Sequence, residues 1–161
     1  VLDTYRKSKN SDERNTALRC LGRAQDPELI QRTLSLPLGG EVKDQDIYLP
    51  ISALRSHPQG VEALYTWMTE NWDKLVQRLP AGLSMLGSMV TICTSSFTSQ
   101  KDYDRVKEFF DGKSTKGFTM SLAQSLESIQ AKSAWLGRDR DDVASWLKQN
   151  GYGSKNIKSE L

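Results

Sequence analysis

The chain has 161 residues, 37% of them hydrophobic and 26% charged, which suits one folded domain, or part of a larger one, and excludes a disordered segment. Its 22 basic and 20 acidic side chains leave a formal charge of +2, too balanced to point to nucleic acid or an anionic membrane as partner. No apolar run reaches membrane-spanning length and no signal-peptide pattern is present, so no membrane is expected and the expected setting is cytoplasmic. Val1, already inside a helical pattern, reads as belonging to something longer.

In chain order, Leu2 to Lys7 reads as the end of a helix. Ser11 is placed to cap a second, with Asp12 and Glu13 in its first turn, Arg14, Ala17, Leu18 and Leu21 along one face, and Gly22 at its end. Asp26 and Pro27 open a third: a carboxylate that accepts first-turn N–H groups, then a proline whose missing N–H costs nothing there. Leu29, Ile30, Thr33 and Leu34 line it as far as about Leu36. After Pro37-Leu38-Gly39-Gly40, a fourth helix is expected to start at Asp44 or Asp46, carrying Ile47, Ile51 and Leu54. Beyond Ser56-His57-Pro58 the spacing predicts one long helix from Gln59 to Leu79, with Val61, Leu64, Tyr65, Met68, Trp72, Leu75, Val76 and Leu79 as its stripe. Pro80-Ala81-Gly82 stops it, and Leu83, Leu86, Met89, Val90 and Cys93 continue in a sixth. Ser99 caps a seventh, with Tyr103, Val106, Phe109 and Phe110 inward, followed by a polar loop from Asp111 to Gly117. An eighth helix is expected from Met120 to Leu136 and a ninth from Asp139, as cap, to Gln149. Residues 151–161, ending in Lys158-Ser159-Glu160-Leu161, read as a flexible tail after a domain spanning 1–150.

No segment alternates with period two between hairpin turns. The fold class is therefore all-α. Short helices joined by short turns predict an irregular α-solenoid of antiparallel helix pairs, HEAT- or armadillo-like, without a fixed sequence period.

Few residues suggest chemistry. The single histidine, His57, has no second histidine to join it and reads as a surface turn residue. Cys20 and Cys93 read as two reduced, buried thiols. Asp44-Gln45-Asp46 lacks the glycine and terminal glutamate of a calcium loop. Gly112-Lys113-Ser114 lacks the earlier glycine and the preceding strand of a phosphate loop. Trp67, Trp72, Trp135 and Trp146 read as core or interhelix packing. The sixth helix is the exception. Ser84, Ser88, Thr91, Thr94, Ser95 and Ser96 give it a row of hydroxyls without charge. That row suits either a buried helix packed closely through small residues or a polar wall facing a cavity. No catalytic residue and no metal ligand can be assembled.

The order of features resembles the C-terminal helical domain of zinc aminopeptidases of the puromycin-sensitive type, and above all the fungal alanine/arginine aminopeptidases. The residues that carry the resemblance are "SDERNTALRC" from Ser11, "LGRAQDPELIQRTL" from Leu21, "EVKDQDIY" from Glu41, "TENWDKLVQRL" from Thr69 and "SAWLGRDRDDVASWL" from Ser133. The resemblance implies an enzyme that removes N-terminal residues from peptides, whose zinc and catalytic residues lie upstream of this chain. Its implied partners are the catalytic domain of the same polypeptide and the peptide substrates. It implies no cofactor here and no activity for the chain alone, which would close over the catalytic domain and form part of the substrate cavity. In several relatives the helix matching Leu83 to Thr94 carries an arginine directed at the zinc; the matching position here is Ser88. Ser84, Ser88 and Thr91 are thus the candidate substrate-facing residues. The alternative is a free-standing helical-repeat adaptor that binds a protein partner, which a start codon near Val1 would favour.

Overall fold

The computed structural model describes residues 1–79 and 84–152. Among them are nine α-helices and no strand: α1 (Leu2–Lys7), α2 (Ser11–Leu21), α3 (Pro27–Ser35), α4 (Tyr48–Ser52), α5 (Pro58–Glu70), α6 (Trp72–Arg78), α7 (Met85–Thr94), α8 (Gln100–Phe110) and α9 (Thr119–Gln149). The expected break at Pro80-Ala81-Gly82, together with Leu83, lies outside the described residues, as does the tail from residue 153. The helices α3, α5, α7 and α9 pack each on the next, while α4 backs the first of them and carries α2 on its other side, and α8 backs the last. This row is compatible with an irregular solenoid.

Two helix starts, those of α3 and α8, follow the expected capping chemistry. Asp26 Oδ1 accepts from the N–H groups of Glu28 and Leu29 at 3.0 and 3.1 Å. Ser99 and Asp102 form a reciprocal capping box at the head of α8. At α2 the cap is Asn10 rather than Ser11: its side-chain oxygen accepts from Asp12 and Glu13, and Ser11 is already helical.

Four larger departures have physical causes. A continuous helix from Asp44 would need an N–H from residue 50 to the Asp46 carbonyl, and residue 50 is proline. The segment instead forms a 3₁₀ turn at Asp44–Asp46, the short α4, and a second 3₁₀ turn at Leu54–Ser56. Ile47, Ile51 and Leu54 are still fully buried, but neither Asp44 nor Asp46 caps a helix.

The long helix expected from Gln59 to Leu79 is broken at Asn71. Its side-chain amide and its backbone N–H both donate to the Trp67 carbonyl, at 2.9 and 3.1 Å, so the backbone leaves the helical path. Trp72 turns into the core, and Val76 is carried out to solvent.

Conversely, the eighth and ninth expected helices are one, α9, of 31 residues. Gly137 weakens a helix but does not end it, and Asp139 pairs with Arg138 at 2.7 Å instead of capping. Finally, Trp67 and Trp72 are buried as expected, whereas Trp135 and Trp146 are exposed, because the last turns of α9 extend past the helices that cover its first half.

Charged side chains tie the frame together. Arg78 on α6 donates to Asp44 at 2.7 Å and to the Val42 carbonyl at 2.8 Å, and also to the Pro37 carbonyl, which holds the 37–46 loop against α6. Arg105 on α8 donates two bonds of 2.8 Å to Glu62 on α5 and forms an ion pair with Asp102. Its guanidinium lies 4.1 Å from the Phe97 ring centroid and 4.6 Å from that of Tyr65. Arg105 holds the Glu62 carboxyl below its usual range through these hydrogen bonds, and burial pushes the Tyr65 hydroxyl up to about 12. Replacing Arg105 by Met removes a forked pair and two ring contacts. It is expected to lower unfolding free energy by about 2 kcal/mol in urea titrations. Arg138→Met, at an exposed ion pair, is expected to leave the urea midpoint unchanged.

Candidate functional site

Of the candidate residues Ser88 and Thr91 sit on α7 and Ser84 is its N-cap position; the helix has two unlike faces. The inner face carries Leu86, Gly87, Met89, Val90, Cys93 and Thr94, all buried. Gly87 makes the close approach of α7 to α9 possible: a Cβ there would lie 2.6 Å from Ser121 Oγ. Burial pushes the Cys93 thiol up to about 12, so it is an inert packing group. Cys20, expected to be buried, is exposed, and neither cysteine is bonded to the other.

The outer face carries Ser84, Ser88 and Thr91, spaced four and three apart, and all three are exposed. The structure therefore brings the three candidates together on one helical stripe. No acidic or basic residue lies in α7. Ser88 Oγ donates to the Ser84 carbonyl at 3.2 Å and Thr91 Oγ1 to the Gly87 carbonyl at 3.1 Å. With those hydrogens engaged, both oxygens keep lone pairs as acceptors facing outward. Thr94 is not part of this stripe: it is buried and donates to the Val90 carbonyl at 2.8 Å. Ser95 and Ser96 bind Arg55, through the side chain and the carbonyl respectively, and Lys132 donates to the Ser95 carbonyl at the end of α7. These contacts fix the orientation of α7 without charging its open face.

Hydroxyl–carboxylate contacts elsewhere are structural. Ser99 with Asp102 is the capping box, and Ser8 with Glu13 ties the α1–α2 turn at 2.6 Å. His57, expected on the surface, is buried. Its Nδ1 accepts from the Gly60 N–H at 3.1 Å and so caps α5. Pro58 hid this signal, because the pair reads as a turn when it is in fact cap and first helical residue. Lys113 lies over the Phe109 ring at 4.4 Å and its loop follows a helix rather than a strand, so no phosphate cradle forms. Among the described residues no group of three or more His, Cys, Asp or Glu side chains could hold a metal ion, and no helix is long and apolar enough to cross a membrane.

The arrangement offers a neutral, hydrogen-bonding surface on a rigid helix. No nucleophile, base and orienting group are joined in it.

Comparison with known proteins places this architecture. Residues 1–131 match the profile of the ERAP1-like C-terminal domain. The chain is 53% identical over 152 residues to "Aminopeptidase 2, mitochondrial" of Saccharomyces cerevisiae, covering 94% of this chain and 16% of that protein. It is 41% identical over 152 residues to the alanine/arginine aminopeptidase of the same yeast, covering 94% and 18%. It is 28% identical over 151 residues to endoplasmic reticulum aminopeptidase 1 of Rattus norvegicus, covering 92% and 16%. The chain thus spans less than a fifth of the length of these relatives, and it belongs to the ERAP1-like C-terminal domain family.

Proposed function

We propose that the chain is the non-catalytic C-terminal helical domain of a zinc-dependent aminopeptidase that removes N-terminal residues from peptides. It closes over the catalytic domain of the same polypeptide, and α7 supplies part of the substrate-cavity wall. The observation that carries this reading is the family match across most of the chain, with relatives that bear aminopeptidase names and are several times longer. In this reading the zinc would be held by residues of the longer polypeptide; among the described residues of this chain no group fits a metal site.

Within this reading, Ser84, Ser88 and Thr91 meet the substrate through oxygens that accept from peptide N–H groups. A neutral hydrogen bond of this kind contributes about 0.5–1.5 kcal/mol, enough to orient a peptide and too little to select a charged side chain. Closure of the helical domain removes water from the cavity and strengthens every polar contact inside it. The two unpaired thiols, Cys20 and Cys93, fit a reducing compartment and support a cytoplasmic setting.

The test uses the longer polypeptide. Ser88→Arg places a cation on the cavity wall and is expected to raise kcat/KM for substrates with an acidic N-terminal residue by about tenfold relative to neutral ones. An unchanged substrate profile would place Ser88 outside the cavity. The 161-residue chain alone is expected to release nothing from aminoacyl reporter substrates. Turnover above a mock-purified control would overturn its non-catalytic assignment.

A further inference from the structure

The second half of α9 is an unpartnered face built like a packed one. In its first half α9 buries Leu122, Ser125 and Ile129 against α7 and α8. The same helical face continues, at spacings of seven, seven and four, through Leu136, Val143 and Leu147. A second row beside it carries Trp135 and Trp146, which are 51% and 57% exposed. Every residue from Arg140 to Asn150 is exposed. At the end of the helix Gly151, at φ 80°, turns the chain back, and Tyr152 stacks on Trp146 with centroids 6.1 Å apart and planes 12° apart. The result is an amphipathic rod about 20 Å long with two indoles and one phenol on its apolar side. A segment of this length holds its helix only marginally in water without a tertiary partner, and exposed apolar stripes of this kind mark contact surfaces.

We infer that this projecting half of α9 docks into an apolar groove on the remainder of the longer polypeptide. This inference rests on the aminopeptidase-domain reading above for the existence of that remainder. Three observations select the occupant. The family profile ends at residue 131, just past Ile129, the last buried residue of α9, so the common domain stops where the rod leaves the body. The yeast match covers 94% of the chain. That leaves fewer residues unmatched than lie between Gly137 and Leu161, so the similarity enters the rod. The matched region is only 16% of that relative, so most of such a polypeptide is available to receive it. A second copy of the chain fits less well. One short helical stripe presents less than the area of about 800 Å² per partner that stable free association needs. A tethered partner needs far less, because linkage supplies a high effective concentration. The anchors are the indoles of Trp135 and Trp146, with Val143 and Leu147 filling the space between turns.

Hydrogen–deuterium exchange on the longer polypeptide and on the 161-residue chain tests the contact. Amides of residues 137–149 are expected to exchange at least tenfold more slowly in the longer polypeptide. The double variant Val143→Glu, Trp146→Glu is expected to abolish that difference while leaving the exchange of α5 and α7 unchanged. Equal exchange in the two proteins would overturn the inference. So would protection in the 161-residue chain that rises with concentration, which would assign the face to a second copy, and so would a reading frame with no upstream sequence. A longer polypeptide that cleaves aminoacyl substrates while the rod stays unprotected would sink this contact and leave the aminopeptidase reading standing. A protected rod in a polypeptide without hydrolysis would do the reverse.

Discussion

Trp72→Ala is expected to lower the unfolding free energy of the chain by about 3–5 kcal/mol. Trp72 is buried and sits edge-on to three rings. The centroids of Phe109, Phe110 and Phe118 lie 5.8, 5.0 and 5.5 Å away, at interplanar angles of 90°, 82° and 69°. These rings come from α8 and from the loop entering α9, so the indole joins α6 to both. Truncation removes the largest side chain of the cluster and opens a cavity that neighbouring rings, locked by one another, fill only in part. Against a total stability of about 5–15 kcal/mol that loss is severe. It corresponds to a drop in melting temperature of roughly 10 °C for a domain of this size. Thermal denaturation followed by circular dichroism reads it directly. Trp146→Ala is the internal control. It removes the same side chain from an exposed position and is expected to shift stability by less than ~0.5 kcal/mol in the isolated chain. Equal losses from the two variants would show that the aromatic cluster does not hold α6 to α8.

The contrast between these two tryptophans also shows what was legible in the sequence. Helical spacing marked Leu64, Met68, Leu75, Met89 and Val106 as inward, and all are buried, because a period of three to four survives any arrangement of neighbours. Caps formed by a side chain and its own next turn, at Asp26 and Ser99, are local and were equally legible. Trp135 and Trp146 were expected in packing contacts as large aromatics, and both are exposed. Periodicity shows that a face is built for burial, but it does not say whether the covering surface lies within the chain. Asn71 was illegible for a different reason: its side chain can compete for the Trp67 carbonyl or point to solvent, and only the pull of Trp72 into the aromatic cluster decides between them. The Arg105 fork to Glu62 escaped too, since its partners lie on separate helices and carry no joint spacing. On α7 the spacing of Ser84, Ser88 and Thr91 showed that they share a face. It left open whether that face was packed or exposed. The charge-free helix turned out to be both, with glycine and threonine inward and the candidate hydroxyls outward.

Gly22→Ala is expected to destabilise the chain by about 3 kcal/mol, although alanine is the better residue for an ordinary helix end at negative φ. Gly22 has φ −72° and ψ 0°, so it needs no left-handed freedom, and its place after α2 is not explained by backbone conformation. Its neighbours explain it. A Cβ at position 22 would lie 2.2 Å from the Pro50 carbonyl oxygen and 2.9 Å from Ala53 Cβ. The first of these is backbone within α4 and cannot step aside as a flexible side chain would. To admit one methyl group, α2 must draw away from α4, on which it packs, at the expense of the buried Leu18 of α2 and Ile51 of α4. Gly137→Ala makes the opposite case. That glycine lies within α9, with nothing within 4 Å of a Cβ, so alanine there removes only unfolded-state freedom and is expected to leave stability unchanged or raise it by up to ~1 kcal/mol. Urea midpoints of the two variants should therefore move apart. If Gly22→Ala moved with Gly137→Ala, the close approach of α2 to α4 would not be what selects glycine, and the opening of "GRAQDPELIQRTL" would be a simple helix end. If they diverge, that glycine is the contact on which the first layer of the helical stack is built.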